Sequence, residues 1–137
     1  MKRLVLARVR SCRKCGRTAA ELRSDDGAAI LVPVDPHRAR ELAGAPPAGT
    51  LRSLTDVVLA QLDAARRRPS EVVLDVQDGH LRGLVAFGDD DVVGCTAEEA
   101  VALAVRGRLA LYATAEAVAH AAARAGRGDH PGGDTLH

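Results

Sequence analysis

The stretch 71–112, EVVLDVQDGHLRGLVAFGDDDVVGCTAEEAVALAVRGRLALY, carries the pattern that decides the fold. Glu71 to Val76 and His80 to Phe87 are two apolar-rich runs separated by Asp78 and Gly79, residues that suit the tight turn of a hairpin. A second turn at Gly88 to Asp90 leads into a third strand, Asp91 to Cys95. The period then changes. Thr96, followed three residues later by Glu99, forms a capping box in which hydroxyl and carboxylate each satisfy a free backbone amide; it opens a helix through Val105 or Arg106. A short strand at Leu109 to Ala113 follows, and Thr114 caps a last helix to about Arg124.

The first half reads the same way. Leu4 to Val9, Thr18 to Arg23 and Ala28 to Val34 are three strands, the last two joined by a turn at Asp25, Asp26 and Gly27, and they predict an antiparallel meander. Asp35 and Pro36 start a helix to about Leu42, because the aspartate accepts from first-turn amides and proline fits the first helical position. A shift of 61 residues aligns Gly27 with Gly88, Val32 with Val93, Asp35 with Thr96, Ala39 with Ala100 and Leu42 with Leu103. A duplicated three-strand-plus-helix unit explains these matches, and shared patterning alone is the alternative. The expected fold is α+β: the duplicated unit forms one mixed or antiparallel sheet system with helices packed on it.

Between the halves, Gly44 to Gly49 is expected to be an irregular loop. A further helix should begin near Ser53, with Leu54, Val58, Gln61, Leu62 and Ala65 on one face. Arg66, Arg67 and Arg68 would close it and complement its dipole. Residues 1–125 are expected to form a single domain, and the Gly-rich stretch 126–137 a tail without order.

Composition narrows the function classes. A chain of 137 residues is near the usual size of one domain and buries roughly two-thirds of its unfolded surface. Its only aromatic side chains are Phe87 and Tyr112, which disfavours binding of single-stranded nucleic acid by base stacking. The net charge of +1 gives no global field, but Lys2, Arg3, Arg8, Arg10, Arg13, Lys14, Arg17 and Arg23 face only Glu21 near the start. That basic edge suits phosphates, or is solvated surface. No stretch approaches the roughly 20 apolar residues of a membrane span, and Met1 to Val9 is too short and charged for a signal peptide; no membrane partner and a cytoplasmic location are expected. An odd number of cysteines, three, fits a reducing compartment.

Three segments, ILVPVDPHRARELA (30–43), LRSLTDVVL (51–59) and GCTAEEAVALAVRGRLALY (94–112), resemble in order and spacing the hallmark segments of the bifunctional nuclease family, also called the DNase/RNase or BFN domain. Those segments are L-P-I-x-I-G-x-x-E-A, R-P-x-T-H and D-x-R-P-S-D-A, the last followed by an Ala/Leu-rich helix and a short strand ending in an aromatic. The resemblance covers about Leu4 to Ala123. Arg52, Thr55, Ala39, Ala100, Ala102, Leu103, Ala104 and Arg106 match, and Glu99 stands conservatively for the second Asp of the third motif. Elsewhere the sequence departs. Arg38 replaces the Glu of the first motif; Ser53 and Asp56 replace the Pro and His of the second; Gly94, Thr96, Ala97 and Glu98 replace the Asp, Arg, Pro and Ser of the third.

The resemblance implies hydrolysis of DNA or RNA phosphodiesters, with nucleic acid as partner and a divalent metal such as Mg²⁺ or Mn²⁺. It places Arg52, Thr55 and Glu99 around the scissile phosphate: the arginine clamping oxygen, the threonine donating a hydrogen bond, the glutamate holding a metal or orienting water. Asp56 and His37 join them beside the motifs. Each residue also has a structural reading, with Asp35 and Thr96 as caps, Glu98 and Glu99 as first-turn acids, and Arg52 and Arg106 as solvated or paired groups. A rival expectation is a catalytically silent, homodimeric interaction module.

Cys12 and Cys15 make a C-x-x-C followed by Gly16 between the first two strands, placed like a zinc knuckle. One knuckle supplies two of the four ligands structural zinc requires, so Cys95, a histidine such as His37 or His80, or the same pair from a second subunit would have to complete it. Redox exchange and two unligated thiols are the alternatives.

Overall fold

The computed structural model describes residues 1–44, 52–88 and 90–126, together with the backbone of 134–136. Strands β1 (Lys2–Ser11), β2 (Thr18–Arg23) and β3 (Ala29–Val34) form the expected antiparallel meander, followed by helix α1 (Pro36–Leu42). After α2 (Leu54–Ala64), strands β4 (Glu71–Gln77), β5 (His80–Ala86) and β6 (Val92–Thr96) repeat the meander and lead into α3 (Ala97–Gly107). Then come β7 (Leu111–Ala113), α4 (Ala115–Gly126) and β8 (Asp134–Leu136).

One curled mixed sheet runs β3-β2-β1-β7-β4-β5-β6, with the four helices packed on it. The short β7 joins the two meanders, antiparallel to β1 and parallel to β4. Its side chains explain the choice, since Leu111 and Ala113 are buried at the seam. β8 adds beside the far end of β1, opposite Val9 to Ser11. It lies within the stretch expected to lack order; residues 127–133 and 137 of that stretch, and 45–49 of the expected loop, lie outside the described residues.

The duplicated plan recurs in its structural roles. Gly27 and Gly88 both turn with positive φ, +89° and +105°. Asp35 and Thr96 both cap a helix, and Ala39 and Ala100 are both fully buried beneath it. Val32 and Val93 part company, the first 1% and the second 50% exposed: both stand on strands that end the sheet, but β3 is covered by α4 and α3 whereas β6 meets α3 alone. The core is aliphatic, built on Leu22, Ile30, Val32, Val72, Leu74 and Val101, with alanines from α3. Small helix residues allow close approach: the α-carbon of Gly83 on β5 leaves room only for hydrogen beside Ala100 and Cys95.

Helix α2 corrects one expectation. Thr55 and Leu59 are its buried residues, while Leu54 is 75% exposed and Val58 39%. The helix rests mainly on α3 rather than on the sheet, with Leu59 set against Gly107, so a narrow strip is covered and the broader apolar face is not. Arg66, Arg67 and Arg68 follow directly after the C-cap Ala65 and lie just beyond the last turn, which itself holds no basic residue. Arg67 lies over the Phe87 ring, 5.2 Å from its centroid, and pairs with Asp91, while Arg68 donates to the carbonyl of Gly107. Among the described residues no helix is long and apolar enough to cross a membrane.

Candidate functional site

Local chemistry fixes each helix start. Asp35 Oδ1 accepts from the Arg38 amide (2.8 Å) and Ser53 Oγ from the Asp56 amide (3.0 Å). At α3 the capping box is closed both ways: Thr96 Oγ1 accepts from the Glu99 amide (3.1 Å), and Glu99 Oε2 accepts from the Thr96 amide (2.9 Å).

The fold brings α1, α2 and α3 together, and their polar side chains interlock. Arg38 is the hub. Its Nη1 donates to Thr55 Oγ1 at 2.6 Å and lies 3.6 Å from Glu41 Oε2, and its Nε is 3.7 Å from Glu98 Oε1. The same Glu98 oxygen accepts from the Asp35 amide at 3.3 Å. Beside this group Arg106 holds Asp56 with two bonds, Nε to Oδ1 at 3.0 Å and Nη2 to Oδ2 at 2.6 Å. The Arg106 bonds hold the Asp56 carboxyl below its ordinary range against the opposing effect of burial, with a smaller contribution from the charge of Arg52. Reciprocally, the bond to Asp56 raises Arg106, and the field of Glu41 adds to it. The Asp35 carboxyl is lowered too, chiefly by its bond from the Arg38 amide.

Chemically the cluster is closed on itself. Two guanidinium groups, Arg38 and Arg106, pair with three carboxylates, Glu41, Glu98 and Asp56, while Asp35 and Arg52 act at the margin through charge. At Arg38 and Arg106 an incoming phosphate would have to displace carboxylates already paired with them. One acceptor is left over: Glu41, with a side chain 10% exposed, has a buried Oε1 without a hydrogen-bond partner. Among the described residues no three His, Cys, Asp or Glu side chains converge that could by themselves hold the divalent ion implied by the nuclease resemblance.

The expected site residues are divided by the fold. Thr55 and Asp56 lie inside the cluster, and Arg52 stands exposed at its margin, acting on Asp56 through charge. Glu99 is turned to its own helix cap; the Cys95 thiol is pushed up to about 11 by burial first and by the Glu99 charge second. No described interaction joins Glu99 to Arg52. His37 is exposed on the first turn of α1. Glu41 escaped sequence reasoning altogether, although its i,i+3 spacing from Arg38 was a usable signal.

The basic run near the start has a structural use. Glu21, 4% exposed, is surrounded by Arg8 Nε at 2.7 Å, Arg10 Nη1 at 3.4 Å and Arg23 Nε at 3.4 Å. Burial alone would raise its carboxyl, and the bonds from Arg8 and Arg23 outweigh it. No known family's sequence profile matches this chain, and no curated protein is detectably similar to it.

Proposed function

We propose that the chain is a BFN-type domain whose phosphodiester site has become a structural ion-pair network, leaving a non-catalytic interaction module. One observation carries the reading: the side chains at the motif positions are engaged with one another. Thr55 accepts from Arg38, Asp56 is held by Arg106, and Glu99 serves the α3 cap. Phosphoryl transfer requires positive charge aimed at the phosphate oxygens and an activated water. Arg38 and Arg106 are paired with Glu41, Glu98 and Asp56 before any substrate arrives, so the charge of these two arginines is not on offer for hydrolysis.

The test is incubation of the purified chain with single- and double-stranded DNA and RNA in Mg²⁺ or Mn²⁺. The expected result is no cleavage above that of an Arg38→Ala/Arg106→Ala control purified in parallel. Cleavage by the wild type that the control lacks would overturn the reading.

A nuclease reading keeps one observation in its favour. The starts of α1 and α2 do converge with α3, bringing Arg52, Thr55 and Asp56 beside Arg38 and Arg106, and the unpartnered Glu41 oxygen offers an acceptor for a proton or cation. On that reading Arg52→Ala abolishes metal-dependent cleavage while the thermal midpoint stays nearly unchanged.

A further inference from the structure

We propose that the outer edge of β6 is a docking strand for an extended segment of another protein, apolar at its centre and basic at both ends. The inference names a partner for the interaction module and rests on that reading only for there being a partner at all; it makes no use of the ionic cluster.

β6 ends the sheet on one side and β3 on the other. β3 carries Pro33, a residue that blunts a strand edge against further pairing. β6 reads VVGCT, with neither proline nor charge, and Val92, Val93 and Gly94 are all exposed. Its outward backbone groups follow from the ladder. The Phe87 amide donates to the Asp91 carbonyl at 2.8 Å, and the register then sets Ala86 opposite Val92 and Leu84 opposite Gly94. Antiparallel pairs alternate between bonded and non-bonded, so the N–H and C=O of Val92, Gly94 and Thr96 turn away from β5. The Thr96 amide is taken by Glu99 Oε2 inside the α3 capping box. Val92 and Gly94 keep donors and acceptors aimed at the open side, as strand addition requires.

Side chains supply the selection. Val92 and Val93 are 52% and 50% exposed on opposite faces of the strand, so a guest strand covers one with each set of its alternate side chains. Gly94 has no side chain, and the partly buried Leu84 lies across from it on β5. An aliphatic guest residue set against Gly94 therefore reaches over it toward Leu84.

Charge decides between occupants. Asp90 and Asp91 precede the strand, Glu98 and Glu99 follow it, and no Lys or Arg occurs from 83 to 105. Asp91 pairs with Arg67 and Glu98 with Arg38, whereas among the described residues no cation pairs with Asp90 or Glu99. A second copy paired antiparallel about Gly94 would set Asp90 of each chain toward Glu98 of the other, like charge against like. A guest strand with Lys or Arg at its two ends meets the opposite arrangement, one cation near Asp90 and the other near Glu99.

The experiment titrates the full chain with a synthetic peptide, acetyl-Lys-Arg-Ile-Thr-Val-Thr-Ile-Arg-Lys-amide, followed by amide resonances and hydrogen exchange. The expected result is saturable binding with slowed exchange at the Val92 and Gly94 amides. Asp90→Asn/Glu99→Gln, in which glutamine keeps the helix cap, should weaken binding roughly tenfold at low salt. Added salt should weaken the wild type more than this variant. Gly94→Pro should abolish binding and keep the circular dichroism of the wild type, because the lost amide points away from β5 and a β-carbon there meets nothing within 4 Å. The peptide N-methylated at its three central residues applies the same test without altering the protein, and should not bind. Failure to saturate at millimolar peptide, equal binding of a peptide with Glu in place of each Lys and Arg, undiminished binding to Gly94→Pro or by the N-methylated peptide, or perturbation confined to other strands would each overturn the docking strand. A dimer that Gly94→Pro splits into monomers would overturn it as well, by assigning the edge to a second copy. Nucleic-acid cleavage by a chain that binds the peptide would remove the non-catalytic reading alone, and a chain that neither cleaves nor binds would remove only the docking strand.

Discussion

Arg38 holds two acids that would otherwise repel: Glu41, 10% exposed, and Glu98, 29% exposed, stand on either side of its guanidinium. Removing one partner of a buried pair leaves an uncompensated charge, which costs several kcal/mol where burial is deep. Arg38→Ala should therefore lower stability by about 2–3 kcal/mol in chemical denaturation, discounted from the fully buried case because Arg38 is itself 20% exposed. Adding Glu41→Gln should recover part of that loss, because it removes the stranded charge. A double variant no more stable than Arg38→Ala would show that Glu41 does not depend on the arginine.

Asp56 makes a pH-dependent contribution whose sign follows from its lowered carboxyl. The folded value lies below the ordinary 3.8, so the pair with Arg106 stabilises fully above 3.8 and is lost as pH falls through the folded value. Both side chains are about one-third exposed, 30% and 31%, which limits the contribution to about 0.5–1 kcal/mol. Asp56→Asn should lower the thermal midpoint by a few degrees at neutral pH. The gap to wild type should stay level between pH 5 and 8 and narrow below pH 4, as followed by thermal melts; a gap that widens on acidification would refute this linkage.

At the level of the elements, the closest approach in the fold lies between β5 and α3. A β-carbon on Gly83 would sit 2.3 Å from Ala100 Cβ, 2.8 Å from Cys95 Sγ and 2.9 Å from the Thr96 carbonyl oxygen. Two of these three neighbours are a helix methyl and backbone, which cannot swing aside. Gly83→Ala should cost about 3 kcal/mol or more by forcing α3 off the sheet. Gly83→Ala/Ala100→Gly should regain part of it by clearing the worst contact, even though glycine weakens the helix by about 1 kcal/mol. Equal stability of Gly83→Ala and wild type in denaturant titration would remove the claim that this contact sets the helix height.

Strands, turns and caps were legible because they are local: alternation, a glycine at positive φ, and an Asp, Ser or Thr three residues before a free amide act within one turn of chain. The buried strip of α2 was not legible. Its apolar residues outnumber those it buries, and the strip is chosen by Gly107 on α3, about 50 residues away in sequence. The side-chain partners around the candidate site were hidden in the same manner. Arg38 meets Thr55 and Glu98 across separations that no periodicity reports, whereas Glu99 reads equally as cap and as family carboxylate.

For the molecule as a whole, the duplicated halves are sewn together instead of lying side by side. β7 comes from the second half yet pairs with β1 as well as β4, and α4 packs on β3 as well as on β4. Each half taken alone would lack its neighbour across the β1–β7 seam and leave Leu4 and Leu111, buried opposite one another there, facing water. Burying such side chains contributes roughly 1.5–3 kcal/mol each, a large share of the 5–15 kcal/mol that separates a domain from its unfolded state. The halves should accordingly fold as one unit. Fragments 1–69 and 70–137 expressed separately should give collapsed amide proton dispersion, and mixing them should restore dispersed signals if assembly outcompetes aggregation. The intact chain should melt in a single transition whose calorimetric and van't Hoff enthalpies agree. A fragment 1–69 that is cooperatively folded by itself would mean that the first meander carries its own core, and that β7 is an attachment to it instead of the seam on which both halves depend.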